Sequence, residues 1–448
     1  VRAAVSDLVS WAAAAKARVG AVVLDVPSGA VLASSGEHTL LNPASNTKVL
    51  TAAVVLDRMG PDYVFSTGVY GTVKDGVVAP LVLRGNGDPS LTTETLWEFA
   101  RALQALGVHR VDGLLVDQSY FDGQWVPPAF ASQPNEWAPF RAPVSAVSLE
   151  RNSVTLNVAA TRAGSPAAAW FDPPGFVDVH GTIETRRAGV GDGVRLTLTP
   201  KGSRLSAEVA GYIGEGSPRV RFGKRVDDPR SFAGYALREV LRLSGIEVTG
   251  DVQLGGKDVT NRLAHVESAP LAVLVRELGK NSDNFYAETL LKALGAFTHG
   301  PPARTEDGAD AVLSWLAEMD AREPGMRMTN GSGLFDANRV SALSLATVLR
   351  RAYLSPRIGP DFVSELAVGG VDGTLRSRFK KEATRRIVRA KTGTLDGVIA
   401  LSGYVFGPFG ASPVAFSFIA DGVTGKHAEA RQKIDRCVEA IASSLWDR

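Results

Sequence analysis

Three short segments carry side chains that could do chemistry at the spacing they have: Ser45-Asn46-Thr47-Lys48, Ser282-Asp283-Asn284 and Lys391-Thr392-Gly393. A serine hydroxyl is a weak nucleophile until a base takes its proton. On a helix, positions i and i+3 share a face, so Lys48 is placed to accept the proton of Ser45. Lysine titrates near about 10.4 in water, and service as a base near neutrality requires a drop of about three units, on the order of 4 kcal/mol. The residues that follow Ser45 supply the means. Val49 to Leu56 form a nearly unbroken apolar run that ends at Gly60-Pro61, the pattern of a helix buried on all sides. Burial desolvates the ammonium, and a helix N-terminus at Ser45 sets a backbone N–H near a developing oxyanion. A second cation depresses Lys48 further, and Lys391 is the candidate.

No one of these segments is specific alone. Ser377-Arg378-Phe379-Lys380 also matches S-x-x-K, but it lies in a solvated basic stretch, residues 376–381. Lys391-Thr392-Gly393-Thr394 follows the strand-like residues 386–390, and a glycine there lets a substrate backbone lie close against the strand. Taken alone it reads equally as a structural strand end, and Ser282-Asp283-Asn284 alone reads as a helix N-cap. All three in this order indicate serine acyl transfer. Other motifs fail on inspection. There is no G-x-S-x-G elbow, residues 250–258 put Gly256 where a phosphate-binding loop needs lysine, and residues 85–90 lack the third glycine of G-x-G-x-x-G.

The elements that must position these side chains are bounded by composition. At 448 residues the length prior is about three domains. Apolar residues make up 45% and charged residues 21%, an ordinary globular balance. A net charge of +2 without a basic run offers no electrostatic footprint for nucleic acid or an anionic membrane. No apolar stretch is long enough to cross a bilayer. The chain opens Val1-Arg2 rather than with Met, which reads as a processed product whose export signal is gone. The single cysteine, Cys437, excludes an intrachain disulfide and repeats with Ile434, Val438 and Ile441 at the spacing of a buried helix face. The six histidines lie far apart, with no H-x-x-x-H pattern, which disfavours a zinc hydrolase.

Along the chain, residues 3–15 read as a helix, and residues 19–24 and 30–33 as a hairpin around Pro27-Ser28-Gly29. Residues 397–406 and 413–420 read as two more strands, and 425–446 as an amphipathic closing helix. Between these ends, residues 75–120 and 230–254 show helix and strand patterns, with helices at 96–106 and 231–243 and strands at 113–116 and 246–252. Residues 150–226 show only short alternating runs. The predicted organisation is therefore a terminal domain of residues 1–68 and 269–448, an inserted α/β domain of residues 69–149 and 227–268, and a nested β domain of residues 150–226. All three motifs fall in the terminal segments, which predicts that removal of residues 69–268 leaves acylation intact.

These residues resemble the serine penicillin-recognising enzymes, whose signature is S-x-x-K, S-x-N and K-T-G. Residues 42–51, 85–92, 117–122, 142–149, 330–334 and 370–376 narrow the likeness. They are similar to the class C low-molecular-mass penicillin-binding proteins, the penicillin-binding protein 4 type of D-alanyl-D-alanine carboxypeptidase/endopeptidase. The resemblance covers most of the chain, although residues 155–226 match only in character. It implies an α+β fold in which an antiparallel sheet with helices forms a discontinuous domain carrying the inserted modules. It implies peptidoglycan stem peptides as substrate, β-lactams as inhibitors, no cofactor or metal, and a periplasmic or other extracytoplasmic location.

The resemblance also implies roles. Ser45 is the acylated nucleophile and Lys48 its base. Ser282 relays a proton towards the leaving amine, Asn284 bonds the substrate amide, and Lys391 supplies positive charge. Thr392 and Thr394 bind the terminal carboxylate beside Gly393, and the N–H groups of Ser45 and Thr394 form the oxyanion hole. One such donor is worth about 3 kcal/mol in the transition state. One departure stands out. After Gly331-Ser332-Gly333-Leu334, relatives that act on diaminopimelate-containing peptidoglycan commonly continue Ser-Arg, and here the pair is Phe335-Asp336. An Asp336 facing the stem-peptide side chain implies preference for an amidated or cationic group. The other reading turns Asp336 to solvent or to a cap, with Arg339 serving instead. Two functional alternatives share the motifs: a β-lactamase, and an idle penicillin-binding scaffold. Over two hundred residues separate Ser45 from Ser282, more than a compact class A lactamase allows, and no E-x-x-L-N stretch intervenes.

Overall fold

The computed structural model describes residues 1–408 and 410–446. The chain divides into two compact units, residues 1–64, 127–132 and 269–448 in the first and residues 65–126 and 133–268 in the second.

The first unit holds all three motifs. Its helix α1 (Arg2–Ala14) leads into strands β1 (Arg18–Asp25) and β2 (Val31–Ser35), and then to helix α2 (Thr47–Met59). After the second unit come α3 (Leu271–Lys280), α4 (Asn284–His299), α5 (Thr305–Glu318), α6 (Ala342–Leu354) and the short α7 (Gly359–Glu365). Strands β3 (Ala367–Val368), β4 (Val388–Leu395), β5 (Val398–Val405) and β6 (Val414–Asp421) precede the closing helix α8 (His427–Trp446). The six strands form one antiparallel sheet in the order β3-β4-β5-β6-β1-β2, so both ends of the chain meet at the pairing of β1 with β6.

Strands β5 and β6 read as near-continuous apolar runs because both faces of the sheet are covered. On one face Val5 and Leu8 of α1 and Ile434, Val438 and Ile441 of α8 pack against Leu401 and Phe416. Full burial of such a side chain contributes about 1.5–3 kcal/mol. Cys437 belongs to this core, and burial pushes its thiol up to about 12, the state of a small hydrophobe. Helix α6 covers the opposite face, where Gly20 leaves room for Ala342. Helix α2 is buried along nearly its whole length, as its apolar run requires, and Gly60 ends it at φ +94°.

The second unit contains a mixed sheet in the order Arg262–Glu267, Ser66–Tyr70, Leu81–Gly85, Arg110–Asp117, Val77–Val78, Val73–Lys74, with Glu247–Leu254 parallel to Arg110–Asp117. Helices Thr93–Ala105 and Phe232–Leu243 pack on it. Residues 153–225 form two three-stranded sheets. Their apolar faces, with Ile183 and Val209, join the same core as Phe99, Val116 and Phe232, and Phe176 meets Phe232 with ring centroids 4.7 Å apart. Residues 150–226 thus have sheets of their own but share a core with the α/β part. A second difference from the sequence-based division is that Pro127–Ser132 belongs to the first unit.

Candidate active site

Ser45 does not open the helix itself. It sits in a 3₁₀ turn, Ala44–Asn46, that runs directly into α2. In such a turn residues i and i+3 eclipse, so the tighter winding still faces Lys48 towards Ser45. Lys48 is fully buried, and its Nζ lies 3.1 Å from Ser45 Oγ, 2.7 Å from Asn284 Oδ1 and 2.8 Å from the Ser332 carbonyl oxygen. Burial holds Lys48 well below the usual lysine range and the Lys391 charge pushes the same way, against Glu288 and Asp283. The neutral amine has two N–H groups and one lone pair. The two shorter contacts occupy the N–H groups, which leaves the lone pair facing Ser45 Oγ.

The second and third motifs meet at one hydrogen bond. Asp283 caps α4 by accepting from the Tyr286 N–H at 3.1 Å, so the capping role that the motif suggested falls to the aspartate. Ser282 precedes it with φ +58° and accepts from Lys391 Nζ at 2.8 Å. Lys391 also donates to the Thr392 carbonyl at 2.8 Å and is fully buried on β4. Burial draws its ammonium down to about 7, opposed by Glu365.

Several supporting residues are not among the sequence candidates. Buried Glu288, one turn along α4 from Asn284, accepts from the Gly331 N–H at 3.0 Å and the Ser332 N–H at 2.8 Å. Its burial raises its carboxyl above the ordinary range, while those hydrogen bonds act in the opposite direction. It thereby fixes the loop that presents the Ser332 carbonyl to Lys48. Asn338 Nδ2 ties Thr47 Oγ1 to the Asn330 carbonyl, both at 3.0 Å, and Thr51 Oγ1 donates to the Gly331 carbonyl at 2.9 Å. The Asn46 amide, oriented to satisfy both ends, donates to the Lys391 carbonyl and accepts from Ser402 Oγ, each at 2.8 Å. A sequence signal existed for Glu288: a carboxylate in a mostly apolar helical run, four residues after Asn284.

Gly393 has a further, structural reason to be glycine. A Cβ there would stand 2.9 Å from the Pro43 carbonyl oxygen and 3.2 Å from Ala44 Cβ. Its bareness lets β4 pack beneath the turn that carries Ser45, where the sequence argument invoked the substrate backbone. Thr392 is half-buried and Thr394 exposed on the same strand. Asp336 also differs from the leading expectation. Its carboxylate forms a two-pronged pair with Arg339, at 2.6 and 2.8 Å, and accepts from Asn42 Nδ2 at 3.1 Å. The hydrogen bond from Arg339 holds its carboxyl below the usual range. Its charge is therefore matched within the chain, and the repulsion expected against a substrate carboxylate loses its basis. Ser377 and Lys380 are both exposed, as their basic surroundings predicted.

Among the described residues no helix is long and apolar enough to cross a membrane. The D-alanyl-D-alanine carboxypeptidase of Actinomadura sp. (strain R39) is 33% identical over 427 residues, covering 91% of this chain and 78% of that protein. The D-alanyl-D-alanine carboxypeptidase DacB of Haemophilus influenzae is 25% identical over 426 residues, covering 91% of this chain and 86% of its own. A crystal structure of penicillin binding protein 4 (dacB) from Haemophilus influenzae, complexed with a novel β-lactam, shares the fold at a TM-score of 0.76, with 24% identity and 99% of each chain covered. The sequence pattern of one family matches residues 1–443, nearly the full length, and with it the chain belongs to the D-Ala-D-Ala carboxypeptidase 3 (S13) family.

Proposed function

We propose that this protein is a serine D-alanyl-D-alanine carboxypeptidase of peptidoglycan stem peptides, acting through an acyl-enzyme on Ser45. The observation that carries the reading is the buried Lys48 amine, anchored by Asn284 and Ser332 with Ser45 Oγ 3.1 Å away. Ser45 Oγ attacks the carbonyl carbon of the penultimate D-Ala while its proton passes to Lys48. The tetrahedral oxyanion is held by the N–H groups of Ser45 and Thr394. Collapse breaks the peptide C–N bond, and the proton that Lys48 took is relayed through Ser282, held by Lys391, to the leaving D-Ala amine, so Lys48 is neutral and Ser282 a hydroxyl again. Water then adds to the ester carbon as its proton passes to Lys48, and collapse of the second tetrahedral intermediate returns that proton to Ser45 Oγ as the acid leaves.

Asn284 also orients the substrate amide, and Lys391, Thr392 and Thr394 receive the terminal carboxylate. Gly393 keeps their strand against the nucleophile turn. Asp336 and its partner Arg339 are assigned to the substrate side chain. A β-lactam opens by the same attack, but its leaving nitrogen stays tethered to the acyl group, so the adduct persists. Family relatives and substrate chemistry support action outside the cytoplasm. They also support cleavage of cross-links that contain the same D-Ala carbonyl. The terminal segments form the catalytic domain, with the second unit as an insertion.

Intact-mass measurement after penicillin treatment tests the reading. One adduct is expected on the wild type and on Ser377→Ala, and none on Ser45→Ala. A persisting adduct on Ser45→Ala refutes it, and rapid penicillin turnover by the wild type assigns the chain to lactamase chemistry. Product masses from purified cross-linked and uncross-linked muropeptides separate endopeptidase from carboxypeptidase action.

A further inference from the structure

Behind the K-T-G strand lies a carboxyl group that the proposed chemistry does not use. Glu365 is the last residue of α7, and two residues later β3 pairs with β4, with Ala367 opposite Ala390 and Val368 opposite Arg389. This register brings the end of α7 alongside Lys391. Glu365 is 0% exposed, and neither of its carboxylate oxygens has a hydrogen-bond partner among the described residues. It rests on α3 at Gly279, where any Cβ would overlap the carboxyl oxygen.

A buried carboxyl without hydrogen bonds opposes folding. What Glu365 has instead is charge around it. Lys391 faces it from β4 and Lys280 from α3, the latter bound to Asp372 at 2.7 Å. Tyr404 faces it from β5, with its hydroxyl committed to the Leu349 carbonyl at 2.6 Å, and Tyr353 of α6 lies tilted beside Tyr404. Lys48 on α2 stands beyond, within the field of Lys391.

We propose that Glu365 is a positioning residue whose carboxylate is the counter-charge that keeps the proton on Lys391. This rests on the reading of Lys391 as the cation that holds Ser282 and receives the substrate carboxylate. Burial raises the Glu365 carboxyl, against Lys391 and Lys280, and lowers the Lys391 ammonium, against Glu365. The two therefore titrate as one pair. At low pH both hold protons and at high pH neither does. Between these limits they share one, and the carboxylate of Glu365 favours its resting on Lys391. Without the carboxylate, burial acts on Lys391 unopposed and its proton leaves at lower pH. The Lys391 charge that depresses Lys48 leaves with it.

The test is the pH dependence of acylation by a chromogenic cephalosporin, measured by stopped flow on the full chain. In Glu365→Gln the alkaline limb is expected to move to lower pH by about half a unit or more, and in Glu365→Asp it returns towards the wild type. Glu365→Met, which removes the charge without leaving an unpaired amide, gives the same displacement with Tm no lower than wild type. A carboxyl with only a structural role moves Tm and leaves the limb in place. If the wild type acylates on Ser45 and both neutral variants keep its profile, the role of Glu365 is refuted while the function stands. If the wild type is not acylated on Ser45, the functional reading falls as well.

Discussion

Lys48 Nζ stands closer to Asn284 Oδ1, at 2.7 Å, than to Ser45 Oγ, at 3.1 Å. The amide of the second motif thus anchors the proposed base of the first. An amide oxygen does this without charge, which matters because Lys48 must be neutral to take a proton. In Asn284→Asp the same contact would be an ion pair, and a carboxylate at hydrogen-bond distance favours the ammonium. The acid limb of the acylation profile is expected to move to higher pH, with a loss of about tenfold or more at pH 7 that is recovered as pH rises. In Asn284→Ala the anchor is gone at every pH, so the loss stays flat across the profile. Acylation rates from pH 5 to 10 separate the two, and a pH-independent loss in Asn284→Asp refutes the anchoring role.

On the proposed function, Lys391 is expected to set the opposite limb. Its proton is lost near about 7 in the free protein, because burial outweighs the help of Glu365. A bound substrate carboxylate adds a negative charge beside the ammonium and raises that value. The profile of kcat/KM reports the free enzyme and that of kcat the complex. For a peptide ending in D-Ala-D-Ala, kcat/KM should fall on the alkaline side near about 7, and kcat should fall at higher pH. With the terminal carboxylate amidated, the gap between the two limbs should close. Coincident limbs for the free acid would mean that Lys391 does not receive the carboxylate.

Gly333 adopts φ +73°, and a Cβ there would overlap both the Ala44 carbonyl oxygen and Thr47 Oγ1. Its N–H donates to Asn330 Oδ1 at 3.0 Å, and the Ser332 carbonyl just before it binds Lys48. Alanine at this position must move either the nucleophile turn or the loop. Gly333→Ala is expected to destabilise the protein by about 1–3 kcal/mol through overpacking, with further strain from the positive φ. Acylation should fall more than stability alone explains, since the displaced groups hold Ser45 and Lys48. Thermal denaturation and the acylation rate well below Tm check this pair of effects.

The three motif segments stood out because each couples a local pattern to a chemical need. Ser45 and Lys48 share a face at i and i+3, and the apolar run after them announces the burial that a lysine base requires. The hairpin and the closing strands of the sheet were legible from apolar runs set between turn residues, and the core role of Cys437 from its helical spacing. Long-range pairings were not. Nothing near Glu365 in sequence points to Lys391, because only the register of β3 with β4 brings them together. The packing reason for Gly393 was hidden for the same cause, since its neighbours Pro43 and Ala44 lie at the other end of the chain. For Asp336 the leading expectation faces its charge towards the stem-peptide side chain, while in the structure the exposed carboxylate pairs with Arg339, three residues on.

The segment Pro127–Ser132 carries the last consequence. Phe130 is 2% exposed, its ring centroid lies 6.0 Å from that of Phe335 edge to face, and Asn330 Nδ2 donates to the Pro128 carbonyl at 3.2 Å. These contacts brace residues 330–335, the loop whose Ser332 carbonyl holds Lys48. Deletion of residues 69–268 takes the brace away, although every motif is kept. Such a variant, closed by a short linker, is expected to acylate about tenfold more slowly or worse, against the sequence-based expectation of intact acylation. In the full chain, Phe130→Ala isolates the brace, with a stability loss of about 3–5 kcal/mol if the site cannot collapse. Its acylation should slow in the same direction, with the pH limbs unmoved because no charge has changed. A deletion variant that acylates at the wild-type rate would show that β4, α2 and α4 hold the site without help from this segment.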